Sequence, residues 1–309
     1  MSDKPQYRDF CASGAHYVPL FLQPWWMDTV CQGKQWDAIV VTAGGEVAGA
    51  MPFVVGRKLG LSYILQPQLT PWSGPWIAPS LDSAQRRDVI DKIAIALRDR
   101  KPRLCKLCLA PEVDEWQPFQ HHSFGQTTRY TYRFPSIADV DGLYRSASRL
   151  RRRYDKGVAE RCEVDRDLAT DEFLPFHVDY YRRRGERDLI GEPLLRRVVD
   201  ETRRRGQGLL WGLRDRTDGK LHAAWFVAYD ERCSWSLLLA IGADAPRGAM
   251  SYLMWQMLHE LSHRTGSFDF EGGMDAGLAF FYSSFGTVRT PYHCIYRSRM
   301  PLGKRLLKI

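Results

Sequence analysis

The segment Phe268-Asp269-Phe270-Glu271-Gly272-Gly273 sets two carboxylates two residues apart in a run that reads as a strand. Side chains alternate across a strand, so Phe268 and Phe270 take one face while Asp269 and Glu271 share the other. Neighbouring carboxylates raise each other's pKa, which suits one of them to take a proton from an ammonium group near neutral pH. The competing use is structural, with Asp269 bonding nearby backbone and Glu271 facing water. Gly272-Gly273 beside them points to something approaching the backbone closely.

A second feature is the turn Ala245-Pro246-Arg247-Gly248-Ala249-Met250 ahead of an apolar helical pattern. The first N–H groups of a helix lack internal partners, and the helix dipole puts partial positive charge there. Small residues let a phosphate or carboxylate come close, and Arg247 adds a counter-charge. An ordinary loop with Ser251 as the helix cap is the bland alternative. The third feature is the loop 66–76, Gln-Pro-Gln-Leu-Thr-Pro-Trp-Ser-Gly-Pro-Trp. Tryptophans bracketed by Pro and Gly either plug a core or line a pocket, and both uses stay open here. His259-Glu260-Leu261-Ser262-His263 matches H-E-x-x-H to the letter, yet lies in a core-packing helical pattern without an evident third ligand, so no metal is expected. No G-x-S-x-G, Walker or Rossmann string occurs.

The elements that must position these residues recur. Strands are expected at 36–42, 46–55 and 61–66, with Gly44-Gly45 as a hairpin turn. The loop at 67–79 leads to a helix whose buried face is Val89, Ile90, Ile93, Ala94 and Leu97, capped at Asp82 or Ser83 and stopped by Pro102. A strand at 103–110 closes the set. Strands at 208–213, 220–229 and 232–240 repeat the order. A loop at 242–248, a helix carrying Leu253, Met254, Met257, Leu258 and Leu261, and a strand at 267–271 complete it. The two helices are offset by roughly 165 residues, about one domain length. Between the halves, 139–156 and 171–184 carry too many charges for core helices, and 192–205 places Leu195, Val198 and Val199 on one face.

With 309 residues, 44% of them hydrophobic, the chain can bury one large or two ordinary cores. No apolar run is long enough to cross a bilayer and the N-terminus lacks a signal-peptide shape, so a cytoplasmic protein is expected. Seven scattered cysteines fit reduced thiols. Cys105 and Cys108 form a Cys-x-x-Cys inside an apolar run that reads as a buried strand, so metal or redox use is set aside. A formal charge of +8 leaves room for an anionic partner, although Asp and Glu are interleaved with the arginines of 145–205.

The segment 268–273, with Phe281-Tyr282-Ser283-Ser284-Phe285-Gly286 and Pro291-Tyr292, resembles the GNAT-superfamily acyltransferases related to the Fem-type peptidoglycan aminoacyltransferases. Gln23-Pro24-Trp25-Trp26, the 69–76 loop and the basic run 148–156 agree with it. The resemblance implies an α/β fold: a tandem duplication of GNAT-like domains, each a mixed, mostly antiparallel sheet flanked by helices, over 1–140 and 141–309. It implies an enzyme that moves an acyl group onto a small-molecule or peptide amine held in an inter-domain cleft, without DNA as a partner. The donor would lie against Arg247, Gly248, Ala249 and Met250. The acceptor would meet Thr70, Trp72, Trp76, Tyr181 and Arg184, and Glu271, Asp269 and Tyr282 would carry the chemistry. The Fem-type enzymes tend to have Phe-Lys in the aromatic run, where this chain has Phe281-Tyr282. That departure favours acetyl-CoA or another acyl-CoA as co-substrate, with no permanently bound cofactor. Transfer from aminoacyl-tRNA onto a peptidoglycan precursor or small peptide is the alternative within enzymes, and a non-catalytic GNAT-fold binding module is the alternative outside them.

Overall fold

The computed structural model describes residues 2–31, 35–58, 60–186 and 190–300. They divide into two compact units. One comprises the chain up to Arg129 and the described residues from Pro291 onward; the other is Tyr130–Thr290.

The first unit begins with helices α1 (Lys4–Ala12) and α2 (Pro24–Val30). Strands β1 (Gln35–Ala43), β2 (Glu46–Lys58), β3 (Leu61–Leu65) and β4 (Trp76–Ile77) follow, then helix α3 (Ser83–Asp99), strand β5 (Leu104–Cys108) and helix α4 (Gln117–His121). Gly44 and Gly45 turn the β1–β2 hairpin with φ of 60° and 90°, as a two-residue hairpin loop requires. β1, β2 and β3 run antiparallel, and α3 carries the chain across to β5, which pairs parallel to β3 at Tyr63↔Leu104, Ile64↔Cys105 and Leu65↔Lys106. A reciprocal capping box fixes where α3 starts: Asp82 accepts from the Gln85 N–H and Gln85 accepts from the Asp82 N–H. Its five apolar positions named above are all buried.

Strand β6 (Gly125–Phe134) leads into the second unit. There come helices α5 (Val140–Ser146), α6 (Arg149–Arg152) and α7 (Asp155–Arg161), strand β7 (Cys162–Asp165), and helices α8 (Thr170–Arg183) and α9 (Glu192–Arg204). Strands β8 (Gly208–Asp215), β9 (Leu221–Tyr229) and β10 (Cys233–Ile241), helix α10 (Ala249–Leu261), strand β11 (Ser267–Asp269), helix α11 (Ala276–Ser283) and strand β12 (Val288–Ser298) complete the chain. β8, β9 and β10 are antiparallel, and β11 returns parallel to β10 after α10. Three antiparallel strands, a helix and a parallel fourth strand therefore occur in both units. The duplicated architecture with mixed, mostly antiparallel sheets is what the chain builds. Every residue of β9 is buried, as expected of a central strand covered on both faces.

Two expectations need correction. The boundary at 140 and a second domain running to 309 do not match the packing. β6 pairs with β11 at Phe134↔Phe268 and Arg133↔Asp269, and the second unit starts at Tyr130 instead of 141. β12 follows the second repeat in sequence yet pairs antiparallel with β5 of the first unit, from Cys294↔Cys108 to Ser298↔Leu104. Strand periodicity reports which face is buried but not which strand lies alongside. The stretch 139–156 is also not one helix, because Ala147 and Ser148 are extended, with ψ of 153° and 147°.

Candidate active site

In the second unit β10 and β11 pair over only three positions, Cys233↔Ser267, Ser234↔Phe268 and Trp235↔Asp269. β11 then ends, while β10 continues to Ile241 with β9 on its other side. No further strand pairs with that edge of β10 among the described residues. The β10–β9 register also shifts between Ser236 and Leu238, so Leu237 is an extra residue that bends the strand beside the gap. An opened parallel pair next to a bulge leaves unpaired strand edge, onto which an extended ligand arm can lie. Sequence reasoning missed both features, since a bulge leaves only a one-residue slip in the alternation of Ser-Trp-Ser-Leu-Leu-Leu.

The carboxylates stand where β11 ends. Phe268 and Phe270 are fully buried and pack edge to face at 4.8 Å, in line with the shared face read from sequence. Glu271, however, is not in the strand. Its φ is 50°, a left-handed conformation uncommon outside glycine, so the expectation of two carboxylates side by side on one strand face is corrected. Asp269 is 3% exposed; its Oδ1 accepts from the Thr131 hydroxyl and, at 2.8 Å, from the Glu271 N–H. Arg133 Nε lies 3.4 Å from Asp269 Oδ2. Asp269 thus holds the backbone of Glu271 in its left-handed turn, and the Glu271 side chain is half-buried. Gly272 and Gly273 continue the turn at φ of 79° and 133°. A Cβ on Gly273 would come 2.6 Å from the Tyr132 ring, so the close approach expected at this pair is made by a tyrosine of the same unit.

Tyr282, on α11, is buried beside Phe270 at 4.9 Å and Tyr132 at 6.0 Å between ring centroids. Burial, then the charge of Glu271, then Tyr180, Tyr181 and Asp269 push its phenol pKa up, so the hydroxyl keeps its proton. Tyr180 and Tyr181 lie at the C-terminal end of α8 and pack edge to face at 5.6 Å. Tyr181 also contacts His177 at 4.9 Å. Arg184 stacks over Tyr180 at 5.5 Å and pairs with Glu186 at 2.8 Å. The structure therefore gathers Asp269, Glu271, Tyr282 and Tyr181, and adds Tyr180, Thr131 and Arg133, which sequence reasoning did not single out.

At the start of α10 the expected donor turn is more occupied than its sequence implied. Gly248 has φ 90°, and a Cβ there would lie 2.7 Å from Tyr154 Cβ. The space beside this glycine is thus filled by Tyr154. The Ala249 N–H donates to Pro246 O at 3.0 Å, and Ala249 and Met250 are buried. Arg247 hydrogen-bonds the Tyr154 phenol and draws its pKa down. A second cation at this helix end is Arg151 of α6. Its guanidinium stacks over Phe281 at 4.5 Å and Phe285 at 5.6 Å, and Nη1 approaches Ser251 Oγ at 3.5 Å. Its Nε is buried with no hydrogen-bond partner, and no carboxylate pairs with it among the described residues. Gly248→Val should therefore act on folding before it acts on binding. A β-branched residue at that φ, against Tyr154, should cost on the order of 1–3 kcal/mol, read as a lower urea midpoint. An unchanged midpoint would mean that the turn tolerates a side chain.

Thr70, Trp72 and Trp76 belong to the interior of the first unit, which corrects their expected role as a substrate wall. Trp26 Nε1 donates to Thr70 Oγ1 at 2.9 Å; Trp72 packs edge to face on Phe21 at 5.5 Å. Trp76 Nε1 donates to Tyr17 O at 2.9 Å, and its ring lies 4.7 Å from Phe10. Their polar atoms are satisfied and their rings buried, as core plugs require. In α10, Leu258 and Leu261 are fully buried and Arg264 engages Glu260. Among the described residues no cluster suited to a metal ion occurs and no helix is long and apolar enough to cross a membrane.

Residues 143–277 match the family described as acetyltransferase (GNAT) domain. The match covers less than half of the chain, starting in α5 of the second unit and running through β11 to the beginning of α11. The fold of the chain is similar to the crystal structure of FemX, with TM-score 0.72, 15% identity and coverage of 99% of this chain and 98% of that one. It is similar to L-PGS from Bacillus licheniformis, with TM-score 0.58, 14% identity and coverage of 99% and 95%. A tandem GNAT protein from the clavulanic acid biosynthesis pathway gives TM-score 0.55, 12% identity and coverage of 94% and 93%. At such identities the likeness is one of fold. No curated protein sequence matches the chain.

Proposed function

We propose that the chain is an N-acyltransferase that moves an acyl group, acetyl in the simplest case, from a CoA thioester to an amine. The observation that carries this reading is Arg151, a half-buried cation at the first turn of α10 with no carboxylate partner among the described residues. A buried charge left uncompensated is costly, and an anionic donor group at this helix end supplies the missing partner. The acyl arm then lies along the free edge of β10 beside the Leu237 bulge. Glu271 takes the proton that the amine loses as it attacks the thioester carbonyl. Tyr282, held in its protonated form, gives a proton to the departing thiolate.

Arg151→Met keeps the apolar stem over Phe281 and removes the charge. It should raise the donor KM by roughly tenfold or more, the worth of one charge-assisted hydrogen bond, with kcat little changed. Steady-state kinetics with acetyl-CoA and a panel of amines, followed by thiol release, checks both the reading and the residue. An unchanged donor KM would remove Arg151 from the donor site.

A second reading, transfer from aminoacyl-tRNA, is favoured by the exposed Arg149, Arg153 and Lys156 on and beside α6. Basic side chains along one short segment suit a phosphate backbone. The likeness to FemX agrees with it. Stabilisation by acetyl-CoA supports the first reading, and a gel shift with charged tRNA lacking any CoA response supports the second. In both the acceptor is an amine, from a small molecule or a peptide.

A further inference from the structure

We infer that Cys108 and Cys294 form a modification site, a thiol pair that a peroxide converts into a disulfide joining β5 to β12. None of the acyl-transfer residues takes part in it. The two cysteines lie far apart in sequence, at 108 and 294, and the pairing of β12 with β5 brings them face to face.

Their register fits a disulfide. Cys294 stands directly opposite Cys108, and the Leu109 N–H donates to His293 O at 2.7 Å. The backbone bond therefore flanks the cysteine pair instead of joining it, which makes this a non-hydrogen-bonded site of an antiparallel ladder. Such sites bring Cα atoms to about 4.5 Å and side chains closest together, within the range of about 4.4–6.8 Å that disulfides span. The two thiols hydrogen-bond each other. The neighbouring Cys105 stands opposite Arg297 and, three residues from Cys108, points to the other face of β5. The Cys105-x-x-Cys108 spacing visible in the sequence is consequently not the pair that can bridge. All seven cysteines are reduced in the structure.

The surroundings favour a thiolate at Cys294. The hydrogen bond from Cys108 draws its pKa down against burial, helped by Lys106, Arg129 and Thr127, to about 7. That same bond, and burial, push Cys108 up. Cys294 is fully buried and Cys108 is 8% exposed, so a small reagent is required, and hydrogen peroxide is one. The Cys294 thiolate attacks one peroxide oxygen and the O–O bond breaks. This gives a sulfenic acid and a hydroxide, which takes up the proton released from Cys294. The Cys108 sulfur then attacks the Cys294 sulfur and the S–O bond breaks. Its oxygen leaves as a second water with the Cys108 proton. Two thiols are oxidised by two electrons and one peroxide is reduced to two waters.

The test uses the full chain, folded, exposed to hydrogen peroxide, quenched with catalase, then unfolded in iodoacetamide and analysed by mass spectrometry. Five of the seven cysteines should take up alkyl groups, with a dithiothreitol-reversible link between the peptides of Cys108 and Cys294. Cys294→Ser and Cys108→Ser should each abolish the link, while the wild-type peptide map decides the matter whether or not these variants fold. Seven alkylated cysteines after peroxide would overturn the inference. So would a link between Cys105 and Cys108, or irreversible oxidation of Cys294 without any link.

Discussion

Glu271→Gln should lower kcat by about 10²–10⁴-fold, the usual contribution of a positioned general base, while donor KM stays near its wild-type value. The replacement is isosteric. It leaves the Glu271 N–H bonded to Asp269 Oδ1 at 2.8 Å, so the left-handed turn and its surroundings persist and the lost rate reports on the carboxylate itself. The sign of the pH dependence follows from the role. A Gln enzyme must wait for amine that is already unprotonated, so its rate should climb with pH and partly approach wild type at alkaline pH. Tyr282 works in the other direction. Its phenol is pushed up by burial and by Glu271, so it stays protonated above the ordinary tyrosine value of about 10. An alkaline decline caused by its ionisation should accordingly begin later than for an exposed tyrosine. A pH–rate profile of both enzymes with one amine at saturating donor measures this. Wild-type turnover by the Gln variant across roughly pH 6–9, the range in which such a base titrates, would make Glu271 structural and leave proton loss to water.

The residues that sequence legibility served best are those governed by local rules. Asp82 and Gln85 form the capping box that a polar cap three residues ahead of a Gln implies. Gly44-Gly45 turns the hairpin, and the apolar stripe of α3 is the buried one. Phe268 and Phe270 likewise share a core because alternation is a property of the strand alone. What stayed hidden depends on partners distant in the chain. Nothing near residue 271 announces that Asp269 bonds its N–H, or that Thr131 and Arg133 arrive from β6 to hold Asp269. Gly248 and Gly273 correctly signalled special backbone, but the groups that fill the space beside them are Tyr154 and Tyr132, not a ligand. The tryptophans at 72 and 76 offered two uses that composition cannot separate, and the rings of Phe21 and Phe10 decide for the core. A likeness of 15% identity over 99% of the chain shows the same division. The order of elements is retained where few individual side chains are.

Asp269→Ala should be the most damaging single change at the site, and it should act on stability and turnover together. The mutation strips the Thr131 hydroxyl and the Glu271 N–H of their acceptor and leaves Arg133 beside an empty position. Removing one partner of a buried charged pair costs about 3–5 kcal/mol. The Arg133 side chain is 18% exposed and can turn partly toward water, which places the expected loss near the lower end. Releasing the Glu271 N–H also removes what holds that residue at φ 50°, so its carboxylate should lose its fixed position and kcat should fall even in the folded fraction. Asp269→Asn separates the two effects. It keeps an oxygen for the Thr131 and Glu271 donors but drops the charge facing Arg133, so it should retain more turnover than Ala while still losing stability. Urea unfolding of the two variants, with kcat measured at a temperature where both are folded, tests this. If Asp269→Ala unfolds at the wild-type urea midpoint and turns over at the wild-type rate, Asp269 neither supports the end of β11 nor positions Glu271, and another group must hold the base.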